Sequence, residues 1–145
     1  MIKRGTKILL TKGDTLLLQH RDNKKGLPNA NLWSLIGGEI DDRESKENSI
    51  CREVLEEIGL NIENPTFLNE QHDFRNGNEL VSYIFEDTIE KEIEELTLGE
   101  GQEIRYFNYQ DVKNIEITPI YERMIFSKLE TLEGKKWVKN QLLKL

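Results

Sequence analysis

Apolar positions along the chain fall into short runs bounded by turn residues, and their period changes near residue 45. TKILLT (Thr6–Thr11) and TLLLQ (Thr15–Gln19) flank Gly13-Asp14 and predict an early hairpin. A polar loop with Gly26, Pro28 and three asparagines leads to a short apolar run, LWSLIGG, from Leu32. From Ser45 to Ile58 the spacing becomes helical. Ile50, Val54 and Ile58 recur every fourth residue with Leu55 beside them, a stripe expected to bury against a sheet. Ser45 suits the N-cap, Glu44 and Glu47 sit near the positive end, and Gly59 stands where a left-handed residue closes a helix. Phe67–Phe74 and Leu80–Glu86 then read as strands around RNGN, whose Asn76-Gly77 pair suits a type I′ turn. Ile89–Glu103 is acidic and reads as turn and loop, Ile104–Asn108 as a strand. After Thr118-Pro119, Ile120 to about Leu132 has helical spacing, and the tail KKWVKNQLLKL is a short basic amphipathic end, a cap on the domain or a subunit contact. These elements make one α/β domain over residues 1–145, with strands on either side of one central helix, and not a doubly wound sheet.

Composition narrows the setting without altering that architecture. With 37% hydrophobic and 32% charged residues the chain resembles an ordinary globular protein. No run of 18 or more apolar residues occurs, so neither a membrane span nor a membrane partner is expected. The apolar stretch after the N-terminus is too short to predict a secretory signal. Cys51 is the only cysteine, which excludes an internal disulfide and a thiolate metal cluster and fits the cytoplasm as the expected location. A net charge of −7 and a pI near 5.0 argue against binding duplex nucleic acid, which needs a basic face. For a phosphate ligand, something cationic has to stand between it and this chain, and a divalent metal is the economical answer.

The helix itself poses the chemical question. Glu53, Glu56 and Glu57 lie at i, i+3 and i+4 on one face, although like charges at i, i+4 cost about 0.2–0.5 kcal/mol per pair. Glu56 and Glu57 also sit near the negative end of the helix dipole, and Arg52 offsets this through Glu56 at i+4. Just upstream, Leu35-Ile36-Gly37-Gly38 ends a strand in two glycines, where the backbone can come close to a ligand. A glycine-rich loop leading into a carboxylate-lined helix is a sensible cradle for a hydrated hard cation shared with phosphates.

Gly38, five residues, Glu44, seven residues and then Arg52-Glu53-Val54-Leu55-Glu56-Glu57-Ile58-Gly59-Leu60 resemble the Nudix box, GX5EX7REUXEEXGU with U aliphatic, at every specified position. Trp33-Ser34-Leu35 ahead of Gly37-Gly38 is similar to the family too. The resemblance implies a Nudix fold, a mixed β-sheet sandwiched between helices (α/β/α), with the box as loop–helix–loop. It implies hydrolysis of a nucleoside diphosphate linked to another group, X, releasing a nucleoside monophosphate and phosphorylated X. Glu53, Glu56 and Glu57 would hold divalent ions, Mg2+ with Mn2+ as a substitute, and the Gly38 carbonyl would be an added ligand. Arg52 would orient the glutamates, Glu44 would anchor the loop to the helix, and Gly37 and Gly59 would complete the structural box. The ions would neutralise the bridging phosphates and activate a water for in-line attack. One carboxylate has to take that water's proton. Glu53 is a candidate, and so is Glu100, a further metal-ligand candidate. Glu100-Gly101-Gln102 resembles the Glu-Gly-Gln of the MutT branch, with Glu103 in reserve.

Two positions depart from the family pattern. Ile36 stands where Pro is common before the glycines, and Arg43 where Gly often precedes the first box glutamate. Arg75–Asn78 lacks the Pro or Tyr of ADP-ribose and diadenosine polyphosphate subfamilies, which tilts the expectation to a MutT-like hydrolase of a (d)NTP or modified NTP. An ADP-ribose or nucleotide-sugar pyrophosphatase and a non-catalytic nucleotide-binding module are the alternatives. Base recognition needs an aromatic face, for which Phe74, Tyr83 and Phe85 are the expected candidates, with Tyr106 and Trp33 behind them. His20 and His72 have no partner at metal spacing and read as structural. A small-molecule nucleotide is the partner expected, with a homodimer left open.

Overall fold

The computed structural model describes residues 1–145. The predicted hairpin forms from β1 (Ile2–Lys12) and β2 (Thr15–His20), yet the two strands share only the pairs beside the turn, Thr11 with Leu16 and Lys12 with Thr15. They then splay apart. β4 (Ile36–Glu39) runs antiparallel to β1 from Gly5 to Ile8. β2 pairs antiparallel with β3 (Trp33–Ser34) and with β7 (Glu103–Phe107). On its other side β1 runs parallel to β6 (Asn78–Thr88), from Ile2 with Glu79 to Thr11 with Thr88. β5 (Thr66–Arg75) forms the outer edge, joined to β6 through Asn76 and Gly77, whose φ angles of 51° and 78° are those of the expected type I′ turn. The result is a mixed seven-stranded sheet.

Alternation along the strands makes two cores from this one sheet. Ile8, Leu10, Leu17 and Phe85 pack under α1 (Lys46–Ile58). Leu9, Leu16, Leu18 and Ile84 pack under α2 (Tyr109–Val112) and α3 (Pro119–Leu142). Each such side chain taken out of water contributes about 1.5–3 kcal/mol, which fixes the register of the strands and therefore which residues face each helix. α1 starts as expected, with Ser45 Oγ accepting from Asn48 N at 3.1 Å, and ends at Gly59 in the left-handed region.

Three expectations need correction. Leu55 is 47% exposed and does not join the buried stripe. It lies five residues from Ile50, so about 140° round the helix at about 100° per residue. Its place is taken by residues at i+3 and i+7 from Ile50, and these are Glu53 and Glu57, which are buried. Second, α3 does not stop near Leu132 but continues to Leu142. Third, the loop after β6 includes one short helical turn, Ile93–Glu95. The departures from the family pattern are absorbed locally. Ile36 is fully buried under α1 and pairs with Ile8, and Arg43 adopts the φ of 63° that a glycine would take there without strain. No helix is long and apolar enough to cross a membrane.

Candidate active site

The site is where α1, β4 and the loop before β7 meet. Arg52 is its organiser. Its Nε and Nη2 fork onto Glu44 at 2.8 and 3.0 Å, its Nη1 donates to Glu53 at 3.0 Å and Glu56 at 3.1 Å, and Nη2 also reaches the Glu39 carbonyl. A planar guanidinium suits such a bidentate pairing, which a lysine could not reproduce. The hydrogen bonds from Arg52 hold the Glu44 carboxyl below its usual range, and Glu44 in turn raises Arg52. Glu44 also accepts from Asp41 N at 3.0 Å, so it ties the loop to the helix.

Glu53 and Glu57 face inward beside the glycine pair. Glu57 accepts from Gly37 N at 2.9 Å. Its burial pushes the carboxyl up to about 7, against the opposing pull of Lys7 and of that N–H, and Glu53 and Glu100 add to the rise. Burial also raises Glu53, with Arg52 opposing. A Cβ on Gly38 would lie 2.6 Å from Glu53 Oε1, so only glycine lets this carboxylate close over the strand. At Gly37 a Cβ would collide with the Thr6 carbonyl, and its φ of 145° suits no other residue. Gly37→Ala is therefore expected to destabilise the fold by about 3 kcal/mol or more, read as a fall in the urea midpoint. An unchanged midpoint would mean that the strand has room to move.

The loop carrying Glu100 is stitched to the C-terminal end of α1. Gly99 N donates to Glu57 O at 2.8 Å and Thr97 N to Ile58 O at 3.0 Å, while Gln19 Nε2 donates to the Glu100 carbonyl at 2.8 Å. A Cβ on Gly99 would collide with Glu56 O, so the close approach depends on that glycine. Glu100 is near enough to act on both Glu57 and Lys7.

The donors gathered here are all oxygens, mostly carboxylate, which is the set a hard divalent cation takes. Two of those carboxylates are buried, and Arg52 divides its charge among Glu44, Glu53 and Glu56. The set fits a dication chemically. No three acidic, histidine or cysteine side chains converge on one point, because Glu53 and Glu56 lean on Arg52 and Glu57 on Gly37. Holding an ion would therefore need those side chains to turn.

The sequence profile of the NUDIX domain matches residues 1–127. The chain belongs to the NUDIX family. A Bacillus subtilis (strain 168) protein named, provisionally, as an 8-oxo-dGTP diphosphatase is 38% identical over 76 residues. That alignment takes in 46% of this chain and 47% of the relative, so it spans about half the length of the relative. Among solved structures, a MutT NUDIX hydrolase from Burkholderia pseudomallei superposes with a TM-score of 0.73 over 89% of this chain and 98% of that one, at 23% identity. A MutT protein from Methanosarcina mazei Go1 gives 0.73 over 90% and 94%, at 21% identity. At those identities the likeness speaks for the fold.

A cavity of about 240 Å³ opens next to the NUDIX glycines on the α3 side of the sheet, with Lys7, Arg21, Ser82, Thr118 and Tyr121 in its wall. None of the three expected aromatic candidates reaches it. Phe85 is fully buried under α1. Tyr83, two residues earlier on β6, packs toward the same face, and Phe74, 73% exposed and paired with Glu79, projects to that side as well. Strand alternation sends all three away from the cavity. The ring that lines it is Tyr121, whose hydroxyl lies 2.8 Å from Ser82 Oγ. Trp33 is occupied by stacking on His20 at 4.6 Å, and Tyr106 donates to the Lys91 carbonyl. Burial pushes the Cys51 thiol up, away from nucleophilic use.

Sequence reading missed Lys7, Arg21, Thr118 and Tyr121. Lys7 carried a signal, being a charge in a strand whose next three residues are apolar. Its ammonium donates to the Leu35 and Gly37 carbonyls at 3.3 and 3.2 Å, under the acidic pair.

Proposed function

We propose that this chain hydrolyses a nucleoside diphosphate linked to X, with a (d)NTP or modified NTP plus water giving NMP and pyrophosphate. What supports it most is the buried pair Glu53 and Glu57 against the glycine backbone of β4, whose Gly38 also lines a cavity of nucleoside size. Bound divalent ions, Mg2+ or Mn2+, would neutralise the phosphates and acidify a water. Glu53, Glu56, Glu57 and Glu100, with the Gly38 carbonyl, are the residues to hold them. Arg52 keeps Glu53 and Glu56 in place, and Glu53 or Glu100 takes the proton from the attacking water. Lys7 places its ammonium in the cavity wall beside the Gly37 carbonyl, where a phosphate oxygen would come.

The cavity also supplies a reason for a polar, base-like ligand. Thr118 is 1% exposed and its Oγ1 has no partner, and Arg21 Nε is likewise unpaired and buried. Each unpaired buried group costs about 1–3 kcal/mol, which a ligand carrying both donors and acceptors would recover. The chain's curated relative, named for 8-oxo-dGTP, makes oxidised guanine nucleotides the first to try.

The test is a panel of (d)NTPs, 8-oxo-dGTP, sugar nucleotides and ADP-ribose, with and without Mg2+, with products resolved. NMP and pyrophosphate from one triphosphate, only with the metal, is the expected result. Thr118→Val keeps the shape and removes the hydroxyl, and is expected to raise KM for that substrate by about tenfold with kcat little changed. Turnover of sugar nucleotides or ADP-ribose alone would overturn the choice of substrate, and no turnover of anything would overturn the enzyme.

A further inference from the structure

The loop from Arg21 to Leu32 supplies Arg21, Pro28 and Asn29 to the cavity wall. The hydrogen bonds of residues 22–30 all stay inside this loop, as from Leu27 N to Lys24 O and from Ala30 N to Leu27 O. Its ends close on each other through Arg21 N to Leu32 O at 2.9 Å and Asn31 N to Asp22 O at 3.1 Å. Asn31 takes a φ of 63°, a left-handed conformation that asparagine tolerates better than most residues.

A side chain from elsewhere spans that neck. Gln102 Nε2 donates to the Arg21 carbonyl at 2.7 Å and to Asn31 Oδ1 at 2.9 Å, so one amide holds both ends of the loop. A reversed amide would set its oxygen against the Arg21 carbonyl, which fixes this orientation. The Arg21 guanidinium, with its Nε buried and unpaired, takes its aim from the backbone that Gln102 holds.

Gln102 also belongs to the turn that carries Glu100. Gln102 N donates to His20 O at 2.8 Å, and the side chain of Gln19 holds the Glu100 carbonyl. Gly101, at a φ of 87°, lies so near β2 that a Cβ would stand 2.8 Å from His20 O. Arg21, Asp22 and Leu27 of the loop share one small recess with Glu100 and Gly101 of the turn. Loop and turn meet along a seam, and Gln102 fastens it.

We infer that Gln102 is a positioning residue that couples the loop over the cavity to the Glu100 turn. Resting on the hydrolase reading above, it makes a ligand seated beneath Arg21 and Asn29 also seat Glu100 beside the buried carboxylates. Binding and proton transfer then depend on one side chain that touches neither substrate nor metal.

Trypsin tests the strap without any turnover, since Lys24 and Lys25 stand exposed in the loop. Gln102→Met keeps the reach of the side chain and removes both donors. It is expected to speed cleavage at these lysines about fivefold, with the urea midpoint unchanged. Asn31→Asp keeps an acceptor and the backbone conformation, and should be cut at the wild-type rate. In turnover, Gln102→Met should raise KM and lower kcat together, each about fivefold, whereas Thr118→Val moves KM alone. In a Glu100→Gln background the loss of kcat should vanish and the rise in KM remain. Cleavage of Gln102→Met at the wild-type rate overturns the inference, and so does a kcat loss undiminished by Glu100→Gln. A lower urea midpoint with KM and kcat unchanged overturns it too, leaving Gln102 a structural pin. A wild type without turnover would strike the hydrolase reading instead, and the cleavage rates would still uphold or overturn the link between loop and turn.

Discussion

Glu57→Gln is expected to lower turnover by about three orders of magnitude while leaving the protein as stable as wild type, or more stable, above pH 7. Glutamine keeps the volume and can still accept from Gly37 N, but it offers no charge to a dication and no site for a proton. The stability side follows from burial. The carboxyl titrates near 4.5 when solvated and near 7 in the fold. Between those values the folded chain holds more proton than the unfolded one, so stability falls as pH rises through the window. The loss is complete above about pH 7 and amounts to about 3 kcal/mol. A neutral residue does not suffer it. Urea midpoints of the two proteins should coincide near pH 4 and diverge by pH 8, with the variant higher. Calorimetric titration with Mn2+ should show weakened uptake by the variant. Wild-type turnover would sink the metal assignment, and a variant markedly weaker at pH 8 would sink the account of burial.

Lys7→Met should have the next largest effect. Methionine matches the length of the stem and removes only the ammonium. The Leu35 and Gly37 carbonyls lose their donor, and Glu57 loses the positive charge that most opposes its rise. With that charge gone, the Glu57 carboxyl moves further up and the acid limb of the pH–rate profile moves with it. At pH 7 kcat/KM is expected to fall by about a hundredfold, recovering in part as the pH is raised. An acid limb at its wild-type position would show that Lys7 does not act on the carboxylates.

The box was legible because its parts are local. A cap at Ser45, an apolar repeat through Ile50, Val54 and Ile58, and a left-handed Gly59 are settled within a few turns of helix, and so is the fork from Arg52 to Glu44. The type I′ turn at Asn76-Gly77 is equally local. What the sequence did not disclose depends on which face of the sheet a residue takes once distant strands are paired. Phe74, Tyr83 and Phe85 have the chemistry to stack on a base, but the register of β6 with β1 turns them to the α1 side. Tyr121 and Thr118 reach the cavity only because α3 folds back over the opposite face. The burial of Glu53 and Glu57 was concealed for a similar reason. Carboxylates beside an apolar stripe read as its solvated border, and only the glycine backbone of β4 closes over them.

The parallel pairing of β1 with β6 bears on how the chain is made. The central strand β1 leaves the ribosome before the partner that covers its far side, which begins at Asn78. At about 5–20 residues per second, the Ile8–Leu10 segment waits several seconds with one edge unclaimed. Nascent chains of this protein should therefore recruit holdase chaperones until Thr88 has emerged, and a slower codon run placed before that point should lower the soluble yield.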